Sequence, residues 1–226
     1  MDIPSKLPVH VTFIMDGNGR WARQRGKDRV EGHFEGVESV RSVMKVSHEL
    51  GIKYISFFAF SEENWNRSEA EVTALMALML KAMEKELPTF IENGVRFRVI
   101  GNRPRLSDGL NEAIDRIEAR TAGCSHMTMI IFLSYSGKWD ISQAAERMAQ
   151  AGGGRIEDFL ATAGIPDPDL MIRTSGEQRI SNYMLWQLAY TEFVFTDTLW
   201  PDFRKQEYLA ALEEYASRER RFGKVK

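Results

Sequence analysis

Val9-His10-Val11-Thr12-Phe13-Ile14-Met15-Asp16-Gly17-Asn18-Gly19-Arg20-Trp21 is the stretch on which the reading of this chain turns. Its first half, Val9 to Met15, is an apolar run of strand length. Its second half packs one carboxylate, two glycines and an arginine into a few residues. Glycines let a backbone approach a ligand closely, amides opening a following helix or turn attract anions, and Arg20 can fork onto phosphate oxygens. Asp16 fits beside a phosphate when a cation such as Mg2+ lies between them. Taken alone, Asp-Gly-Asn-Gly reads equally well as an ordinary turn, so the surrounding chain has to decide.

Outward from there, helices and strands alternate. Glu31 to Leu50 carries helical apolar spacing and stops at Gly51, followed by the dense strand Tyr54 to Phe60. Ser68 and Glu71 form a capping-box pattern opening a helix to about Asn93, with a wide apolar stripe from Val72 to Ile91. Pro88 within it is expected to kink or break the helix near Leu87. Val95 to Ile100 is a strand, a more polar helix runs from Ser107 to about Ala122, and Met127 to Leu133 is a strand. Asp140 with Gln143 reads as the cap of a helix to about Gln150. A short helix Ile156 to Ala163, a strand Asp169 to Arg173, a helix Tyr183 to Leu188, a strand Glu192 to Phe195 and a charged helix Phe203 to Arg221 complete the order.

This alternation implies parallel βαβ units and an α/β fold of one domain over residues 1–226, the sheet covered on both faces. Ligands of such sheets collect beyond the carboxyl ends of the strands. The loops after the first, second and fifth strands hold Asp16 and Arg20, then Asn64 and Arg67, then Arg173, Arg179 and Ser181, all expected at that one edge.

Composition sets the boundaries. The chain has 226 residues, 43% of them hydrophobic and 27% charged, with a net charge of −2, which offers no basic field for nucleic acid. One cysteine, Cys124, allows no internal disulfide and suits a reducing compartment. The N-terminus shows no signal-peptide pattern, and the longest apolar runs are too short to span a bilayer. A cytoplasmic location, peripheral to a membrane at most, is expected.

With these clusters placed, the chain resembles the cis-prenyltransferases. The resemblance is carried by His10 to Ala22, by Arg29 with Gly32-His33, and by Phe58-Ala59-Phe60-Ser61-Glu62-Glu63-Asn64-Trp65-Asn66-Arg67. It continues through Asp169 to Gln187, with Tyr190, Glu192 and Trp200-Pro201-Asp202-Phe203, and ends at Arg220-Arg221-Phe222-Gly223. Five ordered motifs cover essentially the whole chain. The resemblance implies a homodimer, a mainly parallel six-stranded sheet, a hydrophobic tunnel between sheet and helices, and Mg2+ as cofactor. It implies condensation of isopentenyl diphosphate onto an allylic primer, usually farnesyl diphosphate. The product is then a long Z-polyprenyl diphosphate of the undecaprenyl kind, which partitions to the membrane although the protein has no transmembrane segment.

The resemblance also implies roles. Asp16 holds Mg2+, with Glu192 a further ligand that belongs either to the same site or to the second site of a dimer. Arg20, Arg29 and His33 clamp the allylic diphosphate with the backbone of Gly17, Asn18 and Gly19. Arg173, Arg179 and Ser181, flanking Ile180, form the isopentenyl diphosphate site. Asn64 is assigned to proton removal in this family, but a neutral amide is a poor base, and orienting the substrate suits it better. Ser61, Glu62 and Glu63 are expected to form a moving lid, with Arg67 beside them. Trp65 and Trp21 are open between substrate contact and anchoring. Leu75, Met76, Met79 and Met83 become candidates for the tunnel wall, and Met129, Phe132 and Leu133 for its floor. One departure stands out: the family usually has Asn-Tyr-Gly-Gly-Arg where this chain has Ser134-Tyr135-Ser136-Gly137-Lys138, which loses a bidentate fork. A non-catalytic partner subunit is an alternative reading, as is a phosphate-ester hydrolase reusing the same loop. The retained acid and arginine clamp speak against the first, and the lack of an obvious water activator speaks against the second.

Overall fold

The computed structural model describes residues 5–219. Its strands are β1 (His10–Ile14), β2 (Tyr54–Ser61), β3 (Val95–Ile100), β4 (Met127–Tyr135), β5 (Leu170–Arg173) and β6 (Glu192–Phe195). They form one sheet in the order β3-β4-β2-β1-β5-β6, and every neighbouring pair is parallel. From β1 the chain builds outward on one side and then crosses to the other. The crevice between β1 and β5 is therefore the switch point at which such sheets bind ligands.

The helices are α1 (Asn18–Gln24), α2 (Arg29–Leu50), α3 (Glu69–Glu92), α4 (Asp108–Thr121), α5 (Gly137–Gln150) and α6 (Lys205–Ser217). Strands covered on both faces need apolar residues in both alternations, and the sheet supplies them. Val11, Phe13, Ile55, Phe57, Phe97 and Met129 pack on one face with residues of α2, α3, α4 and α6. Ile14, Ile130, Phe132 and Met171 pack on the other with Tyr135, Tyr183 and Met184. A polar thread runs through that second face. His10 Nε2 meets Ser56 Oγ at 2.8 Å, Ser56 Oγ donates to Thr12 Oγ1 at 2.7 Å, and Thr12 Oγ1 meets Tyr183 OH at 2.7 Å. Burial drives the His10 pKa down to about 4.

Several sequence expectations change. The stretch after Gly17 is not a plain loop: it forms α1. Gly17 caps that helix at φ 106°, a left-handed conformation, and a Cβ there would sit 2.9 Å from Leu199 Cδ2. The α5 cap is Ser136, whose Oγ accepts the Trp139 amide at 3.1 Å. Asp140 lies inside the helix, buried, and accepts from Tyr135 OH at 2.9 Å and the Ala161 amide at 2.7 Å. Ser68 caps α3 as expected, but the Glu71 carboxylate turns away to two arginines, so the reciprocal half of that box is not made. Pro88 does not break α3, which runs on to Glu92; Met83 and Phe90, buried on either side of it, keep the last turns packed on the core. Residues 183–188 form turns rather than a helix, and 156–163 contribute only the 3-10 turn Ile156–Asp158. The final helix spans Lys205–Ser217, and Arg220 to Gly223 lie outside the described residues.

Candidate active site

Asp16 follows β1 by two residues and faces the end of β5, because Ile14 pairs with Arg173. Its backbone is clamped to β5: the Asp16 amide donates to Thr174 Oγ1 at 2.9 Å and Thr174 Oγ1 donates back to the Asp16 carbonyl at 2.7 Å. The carboxylate accepts from the Gly17 amide at 2.7 Å and from Arg173 Nη2 at 3.0 Å, with Arg20 at 3.7 Å. Gly17, not Asp16, is the N-cap of α1. The acid is therefore displayed between two arginines rather than spent on a cap.

Two cavities meet at this acid. The first, about 400 Å3, is lined by Asp16 to Arg20, Arg23, Lys27, Arg29, His33 and Arg67, cations around a single carboxylate. The second, about 440 Å3, shares Asp16, Asn18, His33 and Arg67 at its mouth, where Ser61, Asn64, Arg173, Arg179 and Ser181 also stand. It then runs between the sheet and helices α2 and α3, over Val37, Val40, Leu75, Met79, Met83, Met129 and Ile131. A charged anteroom opening into an apolar slot suits an amphiphile with an anionic head and a hydrocarbon tail.

The cations are held in place individually. Arg173 has a side chain only 4% exposed; it donates to Ser181 Oγ at 2.8 Å and to the Arg179 carbonyl. Ser175, Ser181 and Asn182 all take positive φ, the kind of local strain that gathers at working sites. Arg29 and Arg67 share Glu71, each at 3.0 Å, and burial lowers the Arg67 pKa, with Arg29 adding to the effect and Glu71 opposing it. His33 is half-buried, and its Nε2 has no hydrogen-bond partner. Burial first, then the charges of Arg67 and Arg29, bring its pKa down to about 4. A neutral imidazole among arginines, with a nitrogen left unpaired, is poised to receive an anion. Close helix packing sets its position: a Cβ on Gly32 would lie 2.0 Å from the Asn18 carbonyl oxygen.

Other expected residues sit elsewhere. Trp21 lines neither cavity; its Nε1 donates to Asp202 at 2.7 Å and Arg25 stacks on its ring, so it anchors α1. Trp65 donates to Ser134 Oγ at 2.9 Å and packs edge-on to Phe60, also an anchor. The segment from Ser61 to Asn66 is tied down rather than poised as a free lid. Ser61 and Asn64 bond reciprocally, Ser134 and Arg105 hold Glu62, and Asn182 holds Glu63 at 2.7 Å. Glu62, Glu63 and Ile180 line neither cavity, Ile180 packing instead into the second apolar cluster. Glu192 pairs in register with Leu170, level with Val11, roughly 16 Å back along the strands from Asp16. Its carboxylate accepts from Arg218 Nη1 at 3.0 Å. Within one chain Glu192 and Asp16 do not share a metal. Phe132 points to the opposite face of the sheet, and Ile131 takes its place in the slot because strand side chains alternate. Met76 and Leu133 pack in the core without lining the slot, where Leu78 and Ala82 appear instead.

Arg23 and Lys27, which follow the opening motif by two and six residues, were missed by sequence reasoning, and Glu71 was read only as part of a cap. Arg41 and Glu86, which line the apolar slot, gave no sequence signal, because their contact joins two helices. In the departing Ser134–Lys138 segment, Ser134 takes φ 52° and Lys138 is exposed, its backbone amide donating to Asn182 at 3.0 Å.

Among the described residues no three His, Cys, Asp or Glu side chains form a metal cage, so a divalent ion at Asp16 must complete its shell with substrate oxygens and water. Mg2+ characteristically binds in that way, and the solitary, part-exposed carboxylate fits it.

A parallel sheet whose switch point holds an acid between two arginine sets, beside a deep apolar slot, defines a site for molecules with an anionic head and a hydrocarbon tail. Comparison with known proteins agrees. The family model described as putative undecaprenyl diphosphate synthase matches residues 14–223. The isoprenyl transferase of Chlorobaculum tepidum is 49% identical over 97% of this chain and 87% of its own length. That of Aquifex aeolicus is 46% identical over 97% of both. Among solved structures, lavandulyl diphosphate synthase from Lavandula x intermedia, in complex with dimethylallyl diphosphate, superposes with a TM-score of 0.92 at 36% identity, covering 96% of this chain and 99% of that one. A probable undecaprenyl diphosphate synthase from Campylobacter jejuni gives 0.83 at 32% identity, covering 97% and 100%. The chain belongs to the undecaprenyl diphosphate synthase family of cis-prenyltransferases, and it is an isoprenyl transferase.

Proposed function

We propose that this transferase condenses isopentenyl diphosphate units onto farnesyl diphosphate, with Mg2+, to give a long Z-polyprenyl diphosphate of the undecaprenyl class. One observation carries the reading: Asp16 stands where the cation-lined cavity opens into the apolar slot. A primer with its diphosphate in the first and its hydrocarbon in the second places the bond to be broken beside that acid.

The residues divide the work. Arg20, Arg29 and His33, with the backbone of Gly17, Asn18 and Gly19, hold the allylic diphosphate. Arg173, Arg179 and Ser181 hold isopentenyl diphosphate on the β5 side, which sets its double bond toward the allylic carbon. Asp16 holds Mg2+, which when bound neutralises the departing diphosphate charge. Asn64, fixed by Ser61, lines the mouth and orients substrate. The released proton goes to diphosphate or water, since an amide is too weak a base. The apolar slot draws the hydrocarbon out of water and shields the allylic centre.

A homodimer is part of the proposal. Trp186 and Tyr190, just before the edge strand β6, are 39% and 73% exposed, apolar surface of the kind that marks interfaces, and a second chain would let Glu192 serve a site other than that of its own Asp16. Among the described residues no helix is long and apolar enough to cross a membrane. We place the enzyme in the cytoplasm, at the membrane surface when it delivers product.

Incubation with farnesyl and radiolabelled isopentenyl diphosphates, with and without Mg2+, tests the proposal. Metal-dependent label in long-chain products is expected. Absence of any extension by the wild type overturns it.

A further inference from the structure

Helices α2 and α3 wall the slot together, and ion pairs clasp them at two levels. Arg29 meets Glu71 at 3.0 Å by the diphosphate mouth. Twelve residues on, about 18 Å along α2, Arg41 meets Glu86, with Nε donating at 2.7 Å and Nη2 at 2.5 Å. This second pair lines the apolar slot yet stays part-exposed, 27% and 15%. Glu38, one turn back on α2, shares the guanidinium. A doubly hydrogen-bonded charge pair at the solvent-facing edge of a hydrocarbon channel is not needed to fill space there.

Capacity gives it a purpose. An apolar cavity of about 150 Å3 takes up one benzene, so a cavity of 440 Å3 that also includes the polar mouth holds at most about three such six-carbon units, or about 18 carbons. A long polyprenyl chain outgrows that space. The slot floor cannot yield: Phe90, Phe97 and Met129 are 1–4% exposed, with the two phenylalanine rings stacked at 5.3 Å, and close-packed cores resist overpacking. The seam between α2 and α3 is the wall that remains, and the part-exposed pair bridges it about 18 Å along α2 from the mouth.

Resting on the proposed chain-elongating reaction, we infer that Arg41 and Glu86 form a gate in the slot wall, which the growing hydrocarbon must part to pass out between α2 and α3. The gate is shut while the chain is short, keeping water from the slot, and opens when the chain fills it. Elongation therefore pauses near about 20 carbons, the capacity of the closed slot.

Single-turnover elongation from farnesyl diphosphate, with chain lengths resolved by mass spectrometry and normalised to total extended product, reads the gate directly. In the wild type an intermediate near about 20 carbons accumulates. The double variant R41M/E86L lowers that fraction about fivefold, the factor expected for a pair worth about 1 kcal/mol, and Arg41→Lys, which keeps the charge, retains the pause. Should the double variant fail to fold by thermal melt, E86Q alone is expected to lower the fraction about twofold. Identical intermediate distributions in wild type and variants overturn the gate while leaving the transferase reading intact. So does a wild type whose final product stays within the slot capacity. No extension at all by the wild type removes the transferase reading and the gate with it.

Discussion

Binding of a diphosphate should return His33 to an ordinary titration, and the size of the effect follows from its surroundings. In the free protein burial, Arg67 and Arg29 lower its pKa from 6.5 to about 4, a depression worth about 3.4 kcal/mol. A unit negative charge about 4 Å away contributes about 4 kcal/mol at the effective dielectric of a surface site, which matches or exceeds that depression. A diphosphate also supplies the partner that Nε2 lacks. The bound pKa is therefore expected at about 6 or above, at least about 2 units higher. Because the complex then binds a proton that the free protein does not, affinity must rise as pH falls below about 6. For pKa values of about 4 and 6, the gain between pH 7 and 4.5 is about twentyfold. Four histidines make the imidazole proton spectrum tractable, with His33→Gln assigning the resonance. Titration with and without inorganic pyrophosphate gives both pKa values, and calorimetric affinity of wild type relative to His33→Gln cancels the ligand's own ionisation. A His33 pKa that stays near 4 with pyrophosphate bound refutes the assignment of this residue to the diphosphate clamp.

Asp16→Asn keeps the shape and the acceptor for the Gly17 amide but leaves Arg173 without its carboxylate; the variant is expected to melt lower than wild type while still folded at assay temperature, with Mg2+-dependent turnover down by at least about 100-fold, and near-normal turnover would remove Asp16 from the metal site. Gly32→Ala forces a Cβ into the Asn18 carbonyl at 2.0 Å, so a loss of about 2–3 kcal/mol in urea unfolding is expected from overpacking, together with weaker pyrophosphate binding because the α1 turn shifts; an unchanged midpoint contradicts the packing described. His10, buried with a pKa lowered to about 4, resists protonation only while folded. Stability should fall as pH drops from 6.5 toward 4, with His10 contributing up to about 3 kcal/mol and His33 acting in the same window, so His10→Gln should remove about half of that slope and leave the part due to His33.

The strand-helix alternation was legible because strands buried on both faces must be apolar throughout, and that pattern is local. All six strands were placed within two residues at each end, whereas the stripe of α3 became a slot wall only through the family resemblance, which named Met76 where Leu78 and Ala82 line the slot. The clusters at Asp16, Asn64 and Arg173 were legible for a related reason: in a parallel sheet every strand ends at one edge, so polar residues following strands must meet. Capping was less certain, since Ser68, Ser136 and Asp140 offer similar chemistry, and only packing told which oxygen faced a helix end and which was drawn into the core. Trp21 and Trp65 belonged to their motifs, but only their partners, Asp202 and Ser134, made them anchors.

From sequence alone came the family, the order of the six strands and the charged groups Asp16, Arg20, Arg29, Arg67 and Arg173 that gather at one sheet edge, because these follow from local pattern and strand direction. Tertiary structure alone decided which charges touch. It gave Glu71 to two arginines rather than to its own helix cap, and it left the His33 ring nitrogen unpaired. It also set Glu192 at the far edge of the sheet and brought Arg41 on α2 against Glu86 on α3. Contacts between residues distant in sequence depend on how helices cross and how closely glycines let them approach, and no local pattern encodes those distances.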